Sequence, residues 1–205
     1  YCFHMQINIR VHLENYRVVV NFKKLITNYF SLFTQIDMLE NLSKTIESIA
    51  KITVSEERKA ILQPLVDYIQ NKVDLNEEIR LNFICTHNSR RSHLSQIWAQ
   101  TMTFQFGIKN VFCYSGGTEA TAMFSKVGET LVNQGFQIQK LSQEQNPVYA
   151  VKFDDNQHPI ICFSKTYFDD FNPKTNFGAI MTCNNADEGC PMVFGAEARF
   201  PIKYD

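Results

Sequence analysis

Regular spacing of apolar positions begins near residue 38. Leu39, Leu42, Ile46 and Ile49 recur at three- and four-residue steps, which predicts one helix face. A second helix is expected after Ser55-Glu56-Glu57, a capping signal, with Ile61, Leu62, Leu65, Val66 and Ile69 on its apolar face. Pro64 is a point where that helix bends or where its effective start is delayed, and residues 71–78 read as a joint. An apolar run at Ile79, Leu81, Phe83 and Ile84 then predicts a strand. Beyond it Leu94, Ile97, Trp98, Thr101 and Met102 return to helical spacing.

The pattern continues with a second strand at 111–114 and a helix carrying Met123, Val127 and Leu131 that closes near Gly135. That helix is expected to lead into a third strand, and the fourth, through Ala179, Ile180 and Met181, runs into Cys183. Apolar runs at 148–153 and 159–163 flank Asp154-Asp155-Asn156-Gln157 and predict an inserted β-hairpin. Strands alternating with helices predict the α/β class: a doubly wound, four-stranded parallel sheet with helices on both faces, preceded by a helical N-terminal extension. Three stretches follow: an uncertain leader at 1–37, a helical hairpin at 38–78, and an α/β domain at 79–205. The hairpin is expected either to pack on the α/β domain or to serve a dimer. The leader is rich in large apolar residues (Phe3, Tyr16, Phe22, Phe30) without a clean period, and does not read as a signal peptide. Met38 is the expected native start.

Composition narrows the class of function. A net charge of −1 gives no electrostatic reason to expect nucleic-acid or membrane binding. No apolar run approaches the ~18 residues of a membrane span. Six cysteines at irregular spacing in 205 residues do not resemble a secreted disulfide scaffold, so a cytoplasmic, reducing compartment is expected. No grouping of residues suggests a metal site.

Candidate chemistry sits where the first strand meets the helix after it. Residues 85–92 read Cys-Thr-His-Asn-Ser-Arg-Arg-Ser. A loop of this kind can hold a tetrahedral oxyanion: backbone N–H groups of 86–91 curl round it and the first helical turn adds its positive dipole end. Thr86, His87, Asn88, Ser89, Arg90 and Arg91 are therefore candidate oxyanion-binding residues, with Arg91 offering a planar fork to two oxygens. The same positive field favours a thiolate at Cys85, which makes it the candidate nucleophile. A second cluster, Cys-Asn-Asn-Ala-Asp-Glu-Gly-Cys-Pro at 183–191, reads as a mobile loop. The spacing of Cys183 and Cys190 does not fit a zinc knuckle or a thioredoxin-type motif. By itself it leaves unrelated cysteines or half a metal site open.

Taken together, the two clusters resemble one family. Strand, CTHNSRRS and helix look like the phosphate-binding loop of low-molecular-weight protein tyrosine phosphatases and of the thioredoxin-coupled arsenate reductases built on the same fold. Cys-x-x-Ala-Asp-x-x-Cys-Pro at 183–191 is similar to the redox loop of the reductases, and Tyr114-Ser115-Gly116-Gly117-Thr118-Glu119 is similar to the family's Ser-Ala-Gly stretch. The resemblance covers residues 79–205 and implies a mechanism. Arsenate held by Arg91 and backbone amides is attacked by Cys85. Cys183 then attacks Cys85 and arsenite leaves, Cys190 attacks Cys183, and thioredoxin reduces the resulting pair. Ser92 would hydrogen-bond the Cys85 sulfur and Asn88 would hold the loop. In a phosphatase, Cys85 would form a phosphocysteine instead. A non-catalytic redox or anion sensor is a remote alternative.

Departures from the family are specific. His87 stands where the family has Gly, and Arg90 where many members have a second cysteine. The family's general acid is an Asp beyond the redox cysteines, and Asp205 is either that acid or its neighbour. The chain is therefore expected to be a fragment cut at its C-terminus. Cys113, Cys162 and Trp98 read as core residues, and His93 as a surface residue at the start of a helix.

Overall fold

The computed structural model describes residues 38–190 and 192–204; the expected leader 1–37, Pro191 and Asp205 lie outside the described residues. Helix α1 spans Glu40–Ile49 and buries Leu42, Ile46 and Ile49, the face read from the sequence. Helix α2 spans Glu56–Asp74, and the Ser55 side chain caps it by accepting from the Arg58 backbone N–H at 3.2 Å. Pro64 lies inside α2 without delaying its start, and burial of Leu62, Leu65 and Val66 offsets the lost backbone bond. The helix also runs through part of the expected joint, and Ile61, expected on its inner face, is 41% exposed.

Strand β1 (Ile79–Cys85), helix α3 (Arg91–Gln105) and strand β2 (Val111–Gly117) follow, with β1 and β2 parallel. Helix α4 (Ser125–Asn133) ends at Gly135, whose φ is +99°. A side chain there would stand 2.3 Å from the Leu42 N, so the glycine permits both the turn and the close approach of α1. Strands β3 (Gln137–Lys140), β4 (Tyr149–Lys152) and β5 (Ile160–Cys162) make a separate antiparallel sheet, in which β4 and β5 are the expected hairpin. Strand β6 (Phe177–Met181), helix α5 (Asn184–Gly189) and strand β7 (Ala196–Pro201) complete the order.

The parallel sheet has four strands in the order β2-β1-β6-β7. Its membership differs from the sequence expectation. The strand after α4 was expected third in this sheet, but β3 reads Gln-Ile-Gln-Lys and has too few apolar residues to be buried on both faces. It pairs with the hairpin instead. The strand running into Cys183 is consequently third rather than fourth. The fourth is β7, Ala-Glu-Ala-Arg-Phe-Pro, whose polar alternation and terminal Pro suit an edge.

Side-chain parity separates the two faces. Ile79, Leu81, Phe83, Ile180 and Phe200 pack with Leu62 and Leu65 of α2 and Ala99 of α3. On the other face Ala179 and Met181 pack with Ala186 of α5 and Val193. A third cluster joins α1, α3, α4 and the antiparallel sheet around Leu42, Trp98, Leu131 and Val151. Helices α1 and α2 therefore bury their apolar faces in different clusters. The Leu39 N–H donates to the Phe153 carbonyl, tying the approach to α1 to the hairpin. The chain runs from β1 to β2 on one side and from β6 to β7 on the other. The switch point thus falls between β1 and β6, beside the carboxyl end of β1 where Cys85 stands. Among the described residues no helix is long and apolar enough to cross a membrane.

Candidate active site at the β1–α3 loop

Cys85 closes β1, and residues 86–90 turn back into the first turn of α3. One residue of this loop, Asn88, adopts a left-handed conformation (φ +43°), which asparagine tolerates better than most side chains. His87, unlike Asn88, is not in the left-handed region, so the turn does not require a glycine at that position. Glycine is required at Gly117 instead. A side chain there would lie 2.3 Å from the Glu119 carbonyl oxygen and 2.6 Å from the Asn88 N and the Thr86 carbonyl oxygen.

The loop is braced from within and from outside. The Cys85 Sγ lies 3.0 Å from the Ser92 Oγ, and the Asn88 Nδ2 donates to the same hydroxyl at 2.8 Å. The Asn88 Oδ1 accepts from the Lys165 N–H at 3.0 Å, and the Ser164 hydroxyl donates to the His87 carbonyl at 2.9 Å. Thr118 and Glu119 N–H groups donate to the carbonyls of Cys85 and Thr86. Asn88 and Ser92 are fully buried supports, so of the residues expected to bind an oxyanion Asn88 faces away from the cavity.

Cys85, Thr86, His87, Ser89, Arg90 and Arg91 line a cavity of about 300 Å³ together with Thr121 and Phe124. Two guanidinium groups at a cavity floored by a thiol suit a small oxyanion. The Arg90 guanidinium lies 5.6 Å from the centre of the Phe124 ring, and His87 Nε2 is 3.1 Å from Glu119 Oε1. The Arg91 Nη1 donates to the Tyr204 carbonyl at 3.4 Å.

Beside the loop stand the two downstream cysteines. The expected mobile loop is a six-residue helix, α5, with Cys183 at its N-cap position and Cys190 at its C-cap. Burial of Ala186 against the sheet supplies the ordering that a polar sequence alone does not predict. Arg199 of β7 clamps this helix: its Nε donates to the Cys190 carbonyl at 3.1 Å and its guanidinium pairs with the Asp187 carboxylate. Cys85, Cys183 and Cys190 share one buried cluster, and the Thr86 hydroxyl lies 3.6 Å from the Cys183 Sγ. Burial pushes the Cys190 thiol above its ordinary value, while the Tyr167 hydroxyl and the Arg199 guanidinium oppose that rise.

His93 corrects the sequence expectation. It is 0% exposed rather than at the surface, because the first turn of α3 presents it to β2, where its Nδ1 lies 3.3 Å from the Ser115 Oγ. Burial and the nearby Lys165 cation push its pKa down to about 3, against an opposing Asn88 carbonyl. Lys165 is itself buried between the rings of Phe163 and Phe171, and desolvation lowers it to about 8. Cys113, Cys162 and Trp98 are core residues as read. Among the described residues no group of His, Cys, Asp and Glu could hold a metal.

No protein-family model matches this chain, and no curated protein matches it. Among solved structures it is similar to the thioredoxin-dependent arsenate reductase of Corynebacterium glutamicum, with 16% identity and a TM-score of 0.35 over 92% of this chain and 84% of that one. The likeness is too slight to bear on activity.

Thr121, Phe124 and the brace from Ser164 and Lys165 were not singled out from the sequence. Thr121 and Phe124 reach the loop as the chain leaves β2, whereas Ser164 and Lys165 reach it because the antiparallel sheet returns the chain there. The Asp205 expectation lies outside the described residues.

Proposed function

We propose that this protein is an arsenate reductase that works by a cysteine relay and is regenerated by thioredoxin in the cytoplasm. The observation that carries the reading is the shared cluster of Cys85, Cys183 and Cys190 beside the arginine-lined cavity at the carboxyl end of β1. In this reading arsenate sits in the cavity, held by Arg91, Arg90 and backbone N–H groups of 86–91. The Cys85 thiolate attacks arsenic, and an arsenic oxygen departs as water after protonation. The Cys183 thiolate then attacks the Cys85 sulfur, and the sulfur–arsenic bond electrons stay on arsenic, which leaves as arsenite. Cys190 attacks Cys183 and releases Cys85 as thiolate, so the disulfide ends on 183–190. Thioredoxin, a dithiol, reduces it. Ser92 stabilises the Cys85 sulfur in each state, and Asp205 is the candidate general acid or its neighbour.

A phosphatase reading has its own support: the Cys85, Arg91 and Ser92 set is complete without the downstream cysteines. Cys85 would then form a phosphocysteine that water hydrolyses.

The test is NADPH consumption by the full natural protein with arsenate, thioredoxin and thioredoxin reductase. Cys85→Ser, Cys183→Ser and Cys190→Ser are expected each to abolish arsenate-dependent turnover. Absence of turnover together with aryl-phosphate hydrolysis that needs Cys85 alone would establish the phosphatase reading instead.

A further inference from the structure

Helix α2 lies outside the part of the chain whose motifs mark the candidate site, yet one of its residues reaches the strand ends where that site is built. The Arg58 Nη1 donates to the Lys203 carbonyl at 3.1 Å, and its guanidinium lies 4.5 Å from the centre of the Tyr204 ring. Tyr204 is pinned from the sheet side as well: its N–H donates to the Thr182 carbonyl, just past β6. The carbonyl of the next peptide, that of Tyr204, accepts from the Arg91 Nη1. A continuous set of contacts thus runs from α2 through residues 203–204 to the guanidinium at the cavity.

We propose that Arg58 is a positioning residue for oxyanion binding: it holds residues 203–204 against the sheet so that the Tyr204 carbonyl keeps the Arg91 guanidinium at the cavity. The inference rests on the reading of Arg91 as an oxyanion ligand and is common to the reductase and phosphatase mechanisms. The physical reason is preorganisation. Arginine has many rotamers, and ordering them at each binding event weakens affinity unless the folded protein has already restricted them. Arg58 is suited to the task because a flat guanidinium can stack on a ring and donate in its own plane at once. The contact also bears on Tyr204 itself: burial raises its phenol, and the Arg58 cation opposes that rise.

The experiment measures how inorganic phosphate protects Cys85 from iodoacetamide in the full protein, for the wild type, Arg58→Ala and Arg58→Lys. The concentration giving half-protection is expected to rise about five- to tenfold in Arg58→Ala, the scale of one lost anchoring contact. Arg58→Lys, which keeps a cation over the ring without the planar fork, is expected to fall between the two. The alkylation rate without phosphate is expected to stay within about twofold, since Arg58 touches no group bonded to the Cys85 sulfur. Equal half-protection in wild type and Arg58→Ala overturns the inference. If Arg58→Ala does not fold, the Arg58→Lys value decides: a rise supports the inference and no change overturns it. Failure of phosphate to protect Cys85 even in the wild type would instead remove the oxyanion reading beneath it.

Discussion

Ser92 accepts a hydrogen bond from Asn88 while its oxygen lies against the Cys85 sulfur, so one buried hydroxyl joins loop shape to nucleophile. Ser92→Ala is expected to lower kcat about tenfold with little change in KM, the equivalent of one hydrogen bond of about 1.4 kcal/mol. Steady-state kinetics with arsenate check it. His93 gives a pH prediction at the same scale. Its folded pKa is depressed to about 3 while an unfolded histidine titrates near 6.5. Above 6.5 neither state binds the proton, so stability is full there. Below it only the unfolded chain gains the proton, and unfolding becomes easier as pH falls toward 3, by up to about 1.4 kcal/mol per pH unit. Urea unfolding across this range should show a shallower acid limb in His93→Gln than in the wild type; parallel curves would contradict the assignment.

Helix α5 is too short to be stable alone, and β7 supplies what it lacks. Arg199 binds both the Asp187 side chain and the Cys190 carbonyl, and Lys203 approaches Asp187 at 3.4 Å. Arg199→Ala is expected to speed amide exchange at residues 184–190 at least tenfold while the melting temperature falls by only a few degrees. Exchange read by mass spectrometry decides it: an unchanged segment would mean that packing of Ala186 alone holds the helix. Gly117 marks the other critical element, the junction of β2 with the loop. Gly117→Ala forces a methyl against three backbone atoms and is expected to cost about 1–3 kcal/mol, visible in thermal unfolding.

Across the whole molecule α2 covers one face of the parallel sheet, and α1 closes a different cluster against the antiparallel sheet. A chain beginning at residue 79 would expose Ile79, Leu81, Phe83 and Phe200. It is expected to be insoluble or to lack cooperative unfolding in circular dichroism; a cooperative transition would show that residues 38–78 are dispensable. The helix faces of α1 and α3, the cap at Ser55 and the β4–β5 hairpin were legible in the sequence because each depends on neighbours in the chain. So was the loop at 85–92, since its residues are consecutive. Sheet membership was not legible. Whether β3 joins the parallel sheet depends on what covers its faces, and the strand spacing is the same in either case.

Sequence alone therefore determined the α/β class and the order of chemistry-bearing residues: a cysteine at a strand end, arginines opening a helix, and a downstream cysteine pair. Those features come from periodicity and adjacency, which a linear chain carries. Only the tertiary structure decided that His93 is buried, that 184–189 is helical, and that Ser164 and Lys165 brace the loop. The link from Arg58 to Arg91 through Tyr204 belongs there too. Each joins residues far apart in the chain, where burial and hydrogen-bond geometry outweigh local preference.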